Sequence, residues 1–181
     1  MSAAPGASAA HGGIDLRPAG PADAGPLFAW ANDPATRAAS FDRQPIAWPA
    51  HVAWLAAVLG DAARRLWIAE EAGIAVGQVR VDRTPDGLGV VSIGLAPGSR
   101  GRGLGHTVLR LGLAAAVREL GISRVQAVVM STNLPSRRLF EDAGFVAVAA
   151  AAAGTAPPAR PATLVLEADA AAFSVEPEAR P

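Results

Sequence analysis

The sequence predicts a single α/β domain in which helices cover a central sheet. The chain has 181 residues, of which 51% are hydrophobic and 18% charged, which is the composition of a globular domain long enough to bury a core. Patterns typical of strands and of helices alternate along it. In the middle, a short apolar run over 90–95 passes through a glycine-rich turn into a helical pattern that ends near residue 120.

The first third of the chain predicts a strand followed by helices. Residues 14–17 form a short strand. Helical character over 23–31 ends at the step 32–34, because the residue before a proline avoids the α region, and 35–40 resumes it as a short helical turn. The next helix covers 48–59. We expect the buried face of this helix to consist of Val52, Leu55 and Leu59.

The rest of the chain predicts strands interrupted by two helices. A hairpin turn at 71–73 joins the first two of these strands, and Gly121 suits the left-handed position that ends a helix. In chain order, the elements are strands 66–70, 74–82 and 90–95, a helix to residue 120, a strand 124–130, a helix 134–143, and strands 145–151 and 163–167.

The turn Arg100-Gly101-Arg102-Gly103-Leu104-Gly105 is suited to binding a pyrophosphate. The first turn of a helix leaves N–H groups unpaired and carries partial positive charge, so an anion with several oxygens binds there. Glycines let the backbone approach the ligand and adopt positive φ, and the two arginines add charged donors. A Walker loop is excluded because the chain has no lysine. A dinucleotide fingerprint is broken because His106 stands where its third glycine belongs.

A second motif lies downstream, at 133–145, and reads NLPSRRLFEDAGF. Together with the R-x-x-G-x-G pattern of 100–105, it resembles the coenzyme A loop and the N-x-x-S-x-x-L-Y-x-x-x-G-F segment of the GNAT superfamily of acyl-CoA-dependent N-acetyltransferases. The resemblance implies the GNAT fold, an α/β (α+β) domain with a mixed central sheet of six to seven strands flanked by about four helices. We therefore expect a flexible tail at 1–13, one GNAT domain at 14–168 and a disordered tail at 169–181.

The resemblance also implies acetyl-CoA as co-substrate, no metal, and a set of residues that bind the co-substrate. Main-chain groups of Ile93 and Leu95 would pair with the pantetheine arm. Residues 100–105 would hold the pyrophosphate, and Asn133 would hydrogen-bond the arm. A helix N-cap is the alternative role for Asn133, and both roles can hold at one helix end.

Ser136 and Phe140 complete the implied cofactor contacts and raise the question of the catalytic acid. Family members often carry tyrosine at the position of Phe140, where its hydroxyl can protonate the leaving thiolate, but this chain contains no tyrosine. Ser136 or a water then serves as the donor, or the proton comes directly from the amine. For the base we name His51, because imidazole titrates near neutral pH. A structural role for His51 on its helix is the alternative.

The site for the acceptor, which is the amine that receives the acetyl group, is indicated by two patterns. These are the segment 30–41, WANDPATRAASF, and the H-x-x-W pair on the following helix. Both resemble the pattern of GNAT enzymes that acetylate nucleotide-linked amino sugars, as in pseudaminic-acid-type pathways. The resemblance implies acceptor contacts from Asn32, Asp33, Arg37, His51 and Trp54. The alternatives are a core role for the tryptophan, a simple turn at Asp33 and a solvated charge at Arg37.

These motifs lead to one principal hypothesis and two alternatives. The principal hypothesis is an enzyme that transfers the acetyl group of acetyl-CoA to the primary amine of an amino sugar, with a nucleotide-linked amino sugar preferred, by direct attack in a ternary complex. The first alternative changes the acceptor to a protein N-terminus, an amino acid or a polyamine. The second is a non-catalytic acyl-CoA-binding module, suggested by the missing tyrosine.

The composition limits which binding partners and which cellular compartment the protein can have. The 16 basic and 16 acidic residues cancel, so no overall field attracts nucleic acid. There is no cysteine and there are three histidines, which argues against disulfides and a histidine-rich metal site. No apolar run reaches the length of a membrane span, and residues 1–13 lack the basic start and apolar block of a secretory signal. We therefore expect a cytoplasmic protein that acts on a small-molecule amine, binds neither nucleic acid nor a membrane, and can form a homodimer.

Overall fold

The computed structural model describes residues 13–149 and 163–174. Residues 1–12, 150–162 and 175–181, which include most of both predicted tails and the end of the predicted strand 145–151, lie outside the described residues. In chain order, the strands and helices are β1 (Ile14–Pro18), α1 (Ala24–Asn32), α2 (Pro34–Ala38), α3 (Trp48–Leu59), β2 (Arg64–Glu71), β3 (Ile74–Arg83), β4 (Leu88–Leu95), α4 (Leu104–Leu120), β5 (Arg124–Met130), α5 (Leu134–Asp142), β6 (Val146–Val148) and β7 (Thr163–Asp169).

Seven strands of the described chain form one mixed sheet in the order β1-β2-β3-β4-β5-β7-β6. Strands β1 to β4 pair antiparallel, β4 and β5 pair in parallel, and β7 pairs antiparallel with both β5 and β6. The parallel pair requires a crossover, which α4 supplies. Ala72 and Gly73 both have positive φ, 50° and 78°, as expected for the predicted hairpin turn. The mixed sheet and its helices confirm the predicted fold class.

The two faces of the sheet carry separate hydrophobic cores. On one face, α4 lies so close to β3 that a Cβ added at Gly112 would stand 2.3 Å from Val79 Cγ1. On the other face, α1 and α3 pack over β2, against Leu66 and Ile68. The acceptor side predicted from α1 to α3 and the α4 side are therefore opposite sides of one sheet.

The buried face of α3 differs from the prediction. The helix has the predicted bounds, Trp48–Leu59, but Val52 and Leu59 are 39% and 37% exposed. Leu55 is buried as predicted, and His51 and Val58 are buried in place of the other two. The helix is apolar on all sides, so its sequence pattern does not select a face, and contact with β2 makes the selection.

The packed chain continues past the predicted domain end at residue 168. Strand β6 is shorter than predicted, but β7 reaches Asp169, and a 3₁₀ turn at Ala170–Phe173 follows it. Phe173 is buried, its ring centre lies 5.8 Å from that of Phe145, and the guanidinium of Arg110 lies 5.7 Å from its centre. The alanines around Phe173 show no pattern, so the sequence does not indicate that one aromatic side chain anchors this turn.

Candidate active site

A gap opens between β4 and β5 in the middle of the sheet. The two strands pair along β4 from Leu88 to Val91. Beyond that point β4 stays paired with β3 as far as Leu95, while β5 stays paired with β7 as far as Met130. The strands therefore diverge, and the C-terminal half of β4 loses its neighbour on one side.

Ile93 and Leu95 turn their main-chain groups toward this gap. The N–H of Ala96 donates to the carbonyl of Val76, on the β3 side, at 2.9 Å. Successive residues of a strand alternate the side on which they hydrogen-bond, so the groups of Leu95 and Ile93 face the other side, where none of the described strands pairs with them. An extended ligand can add to such an edge as a further strand would.

The turn 100–105 enters α4 through two left-handed glycines. Gly101 has a φ of 73°, and Gly103, the N-cap of the helix, has a φ of 77°, a region that residues with a Cβ rarely adopt. In the part of the chain that the structure describes, the N–H groups of residues 101–105 donate no well-formed hydrogen bond. Unpaired donors at the positive end of a helix fit the oxygens of a pyrophosphate.

Arg100 joins this turn to the break between α1 and α2. Its Nη1 donates to Asp33 Oδ1 at 2.6 Å and its Nη2 donates to Thr36 Oγ1 at 2.8 Å. Asp33 Oδ1 also accepts from the N–H of Thr36 and so caps α2. The guanidinium of Arg100 is the main reason why the pKa of Asp33 lies below its ordinary value, and the Thr36 N–H adds to the effect. A residue predicted for the phosphate and one predicted for the acceptor are thus bonded to each other.

Arg102 is engaged in the same way by another carboxylate. Its Nη2 lies 2.7 Å from Oε2 and 3.0 Å from Oε1 of Glu71, at the turn between β2 and β3. Both side chains are well exposed to solvent, so water screens the pair and it contributes little to stability. An anion bound at the turn can therefore attract Arg102 away from Glu71 at small cost.

Asn133 caps α5 at the same edge of the sheet. Its Oδ1 accepts from the N–H of Ser136 at 3.2 Å, the N-cap bond named as its alternative role. Its amide nitrogen has no partner among the described residues and is free to donate. Because β4 and β5 run parallel, the helices that follow them begin at one edge, and a Cβ at Gly105 of α4 would stand 3.4 Å from Leu139 of α5. Asn133 and the glycine turn therefore border the same end of the gap.

Phe140 belongs to the core in this structure. It is 2% exposed, and its ring lies 5.1 Å from that of Phe145, edge to face. Ser136, one turn earlier on α5, is only half-buried. Of these two residues, Ser136 is the one with surface left for a ligand, and the roles of both toward acetyl-CoA stay predictions.

Asn32 and Arg37 hold the loop between α2 and α3 against α1. Asn32 accepts from the N–H of Ile46 at 2.7 Å and donates to its carbonyl at 3.1 Å. Arg37 donates from Nε to the carbonyl of Ala31 at 2.6 Å and from Nη1 to that of Asp42 at 3.1 Å. These bonds give both side chains a structural role, and contact with an acceptor stays a prediction for each.

His51 lies inside a cluster of aromatic rings. It is 3% exposed, and its ring centre lies 5.4, 6.0 and 5.4 Å from those of Phe28, Trp48 and Trp54. Its Nε2 lies 3.0 Å from the carbonyl of Ala24. A carbonyl only accepts, so Nε2 carries the proton and Nδ1 is the nitrogen able to receive one. The bond ties α3 to α1, which is the structural role named as the alternative for His51.

The gap, the glycine turn and the two helix starts agree with a comparison of the sequence with known families. A model of the acetyltransferase (GNAT) domain matches residues 14–146. The chain belongs to the GNAT acetyltransferase family. It is therefore an acetyl-CoA-dependent N-acetyltransferase domain, as its coenzyme A motifs predicted, and its mixed sheet is the GNAT fold.

Solved structures superpose on most of this GNAT domain. The spermidine N-acetyltransferase of Vibrio cholerae, in complex with CoA and spermine, is 17% identical, with a TM-score of 0.75 over 90% of this chain and 99% of its own. A Salmonella typhimurium protein solved with its cofactor acetyl-CoA is 21% identical, with a TM-score of 0.68 and coverage of 87% and 94%. A domain from Methanocaldococcus jannaschii is 22% identical, with a TM-score of 0.71 and coverage of 86% and 97%. None of the curated proteins compared with the chain matches it. At these identities the likeness establishes the fold and leaves the acceptor open.

The GNAT sheet carries a polar strip that the sequence motifs do not identify. Gln78, Arg80 and Asp82 alternate along β3 on the face away from α4, and Gln126 of β5 and Glu167 of β7 stand on the same face. The alternation along β3 is readable as a strand signal. Only the order and register of the strands bring the five side chains of this polar strip together.

Neither a metal centre nor a membrane-spanning helix is found in residues 13–149 and 163–174. No group of three or more histidine, aspartate or glutamate side chains there could hold a metal ion. No helix in the same ranges combines the length and the apolar character that crossing a membrane requires.

Proposed function

We propose that this GNAT domain acetylates the primary amine of an amino sugar carried on a nucleotide. The observation that supports this most directly is the bond between Arg100 and Asp33. Arg100 belongs to the coenzyme A turn. Asp33 belongs to the segment 30–41, which resembles enzymes acting on nucleotide-linked amino sugars. Contact between the two segments is what a shared active site requires.

Acetyl-CoA fits the residues around the gap. It supplies an acetyl group activated as a thioester. Main-chain groups of Ile93 and Leu95 would pair with its pantetheine arm, the N–H groups of 101–105 would hold its pyrophosphate, and the amide nitrogen of Asn133 would donate to the arm. Each of these groups lacks a partner among the described residues, and polar groups without a protein partner at a surface are those available to a ligand.

The acceptor side draws on the helices of the opposite sheet face. Trp48 is 47% exposed and offers a flat apolar surface on which a sugar ring can lie. His51 is buried, which leaves two ways for it to act on the acceptor. It can contact the acceptor through Nδ1, or it can position Trp48 and Trp54 on either side of it. The residues that we assign to acceptor binding are Asn32, Asp33, Arg37, His51 and Trp54.

Proton transfer in this enzyme proceeds without the tyrosine that relatives often use. The amine has to lose a proton before it attacks, and the leaving sulfur has to gain one. We assign the base to His51 and the acid to Ser136, and a water molecule can replace either group. Loss of a dedicated acid costs about 10²–10⁴-fold in rate where proton transfer limits turnover.

The proposal is tested by thiol release from acetyl-CoA with a panel of amines. The panel contains nucleotide-linked amino sugars, free amino sugars, peptides, amino acids and polyamines, and we expect the largest kcat/KM for a nucleotide-linked amino sugar. Arg37→Ala and His51→Ala should raise KM for that amine and leave KM for acetyl-CoA unchanged. Arg43→Ala, an exposed arginine of the same loop, is the matched control.

Two outcomes would contradict the proposal. A larger kcat/KM with a peptide or a polyamine would reject the amino-sugar acceptor. No thiol release with any amine, while acetyl-CoA still raises Tm, would indicate binding without turnover. The Tm of each variant separates loss of loop packing from loss of an acceptor contact.

A polyamine is the second candidate acceptor. The carboxylates of Asp82 and Glu167 stand on the acceptor face of the sheet, and carboxylates attract a polycation. The spermidine N-acetyltransferase of Vibrio cholerae shares the fold at 17% identity, and its acceptor does not transfer to this chain on that ground.

A further inference from the structure

The side of α3 that points away from the sheet is apolar along its whole length. The helix rests on β2 through its buried residues, and the opposite side is exposed to solvent. We define the outer face of α3 by the exposed residues Trp48, Pro49, Val52, Ala53, Ala56 and Leu59. Trp48, Val52 and Leu59 are large side chains that stay more than a third exposed. A helix that is apolar on all sides is ordinarily buried on all sides, so the outer face lacks the cover that its sequence calls for.

The helices on the opposite face of the sheet carry charge where they meet solvent. Arg110 and Glu119 are exposed on α4, and Arg137 is exposed on α5. In contrast, residues 44–60 contain no aspartate, glutamate or arginine, and neither do residues 24–32 of α1, which packs beside α3. An exposed apolar surface that the rest of the same molecule avoids marks an interaction site.

The absence of charge limits what can cover the outer face of α3. Nucleic acids and anionic lipid surfaces are bound through lysine and arginine, and residues 44–60 contain neither. A protein surface that bears charges would lose their hydration against this face and gain no opposite charge in return. The cover that fits is therefore another uncharged, apolar surface, and the same face of a second molecule is such a surface.

We propose that the outer face of α3 binds the same face of a second copy of this chain and forms the core of a two-fold symmetric dimer. In such a dimer each copy contributes one and the same patch, so an uncharged patch always meets an uncharged patch. The net charge of zero gives no overall repulsion between copies. The inference goes beyond the proposed function, because it concerns neither acetyl-CoA nor the acceptor.

The sizes of the side chains on the outer face suit two antiparallel helices that cross closely. Ala53 and Ala56 lie near the middle of the helix, where small side chains let the two backbones approach to about 8–10 Å between helix axes. The 12 residues of α3 span about 18 Å, so its two ends stay within reach of the partner helix. Trp48 of one copy then lies beside Leu59 of the other, and large apolar side chains close both ends of the contact.

Charged residues return at both ends of the uncharged segment, where they can form the rim of the interface. Asp42 and Arg43 precede it, and Asp61 and Arg64 follow it. An antiparallel arrangement brings the start of α3 in one copy beside its end in the other, and each end carries one charge of either sign. Arg64 Nε lies 3.2 Å from Asp61 Oδ2 in a pair exposed to water, so these groups can exchange partners at little cost. An apolar centre inside a polar rim is the usual form of a protein–protein interface.

The experiment measures the oligomeric state of the full chain by sedimentation velocity over a concentration series. We expect wild type to dimerise with a Kd in the micromolar range, because a contact built mainly on one helix falls at the small end of interface sizes. Val52→Glu and Ala56→Glu should each raise this Kd at least ten-fold, since a dimer would then hold two facing carboxylates in an apolar contact. Ile74→Glu, which places the same charge on an exposed apolar residue of the β2–β3 hairpin, is the matched control and should leave the Kd unchanged.

Single-cysteine cross-linking tests the interface without adding charge. The chain has no cysteine, so Ala53→Cys and Ile74→Cys each provide one thiol at an exposed position. Under mild oxidation at equal concentration, we expect Ala53→Cys to form a disulfide-linked dimer at least ten-fold faster than Ile74→Cys. Equal rates for the two variants would overturn the inference even if the glutamate variants failed to fold.

Three further outcomes would overturn the inference. The first is a wild type that stays monomeric over the whole concentration series. The second is a dimer that Val146→Glu, at the exposed edge strand β6, dissociates while Val52→Glu and Ala56→Glu do not, which would place the interface at the sheet edge. The third is a monomer that sediments with phosphatidylcholine vesicles and loses this property in Val52→Glu, which would make a neutral lipid surface the cover of the outer face. Thiol release enters none of these measurements, so their result is independent of the proposed function.

Discussion

Arg100 and Asp33 stand 67 residues apart in the chain and form an ion pair at 2.6 Å. The pair connects the turn of this GNAT domain that is assigned to the pyrophosphate with the segment assigned to its acceptor. A pyrophosphate held by the turn would compete with Asp33 for the guanidinium of Arg100, so occupation of the turn would be coupled to the break between α1 and α2. Coupling between two binding events is reciprocal, and the acceptor should therefore influence the affinity for CoA.

The variant Asp33→Asn tests this competition. Asparagine caps a helix as well as aspartate does, so the variant keeps the cap on α2 and removes the charge. We expect CoA to bind more tightly, by up to about five-fold, because a partly exposed ion pair is weak. Titration calorimetry with CoA measures this, with Asp42→Asn in the following loop as control. Weaker binding by Asp33→Asn would mean that the pair positions the turn for its ligand.

The left-handed conformation of Gly103 predicts a selective loss of CoA binding in Gly103→Ala. Open space surrounds the position, so its φ of 77° is the source of strain, at about 1–2 kcal/mol for a residue with a Cβ. A turn that shifts to relieve this strain misaligns its N–H groups, and we expect Kd for CoA to rise about ten-fold. Gly98→Ala, in open space and without positive φ, is the matched control. Equal Kd values for the two variants would show that the turn tolerates the change.

The close contact of Gly112 with Val79 predicts a loss of stability in Gly112→Ala. Alanine is otherwise the better helix residue, but its Cβ would stand 2.3 Å from Val79 Cγ1, and overpacking of this kind costs about 1–3 kcal/mol. Urea unfolding measures the change. Gly25→Ala in α1, where nothing lies within 4 Å of the new Cβ, should be neutral or stabilising. Adding Val79→Ala should recover part of the loss, and no recovery would place the strain elsewhere.

The contacts of Asp23 predict a pH-dependent contribution to stability. Arg17 donates to both of its carboxylate oxygens, at 2.9 and 2.7 Å, and is the main reason why the pKa of Asp23 lies below its ordinary value, with the Gly20 N–H adding to it. Because the pKa is lowered in the folded state, the contribution is fully present above the unfolded pKa of about 4. It is lost as pH falls through the lower folded pKa.

Urea unfolding of Asp23→Asn over a pH series checks this sign. At about pH 7 we expect the variant to be less stable than wild type by about 1–3 kcal/mol, and the difference should shrink as pH falls below about 4. Asp15 lies on β1 with Arg17 and is exposed, so Asp15→Asn should show no such trend. A difference that stays constant to low pH would mean that packing, and not charge, is lost in the variant.

Local signals predicted many elements at their observed bounds, because those signals act within a few residues. The helix Trp48–Leu59 and the strand Arg124–Met130 are found as predicted, and Gly121 ends α4 in the left-handed conformation with a φ of 60°. The predicted buried face of α3 was wrong at Val52 and Leu59 and right at Leu55, because an evenly apolar helix shows no preferred side until it meets β2. The 3₁₀ turn at Ala170–Phe173 was missed for a related reason, since its anchor, Phe173, is buried by residues far away in the chain.

The sequence by itself determined the local structure of the segments assigned to coenzyme A. A glycine turn before a helix, with Asn133 beginning the next helix, carries its chemistry in adjacent residues, because backbone N–H groups and helix ends need no distant partner. The tertiary structure alone decided what surrounds the residues assigned to the acceptor. It paired Arg100 with Asp33, enclosed His51 among aromatic rings, and brought Asp82 and Gln126 into one row, because strand order and register set neighbours that sequence distance does not reveal.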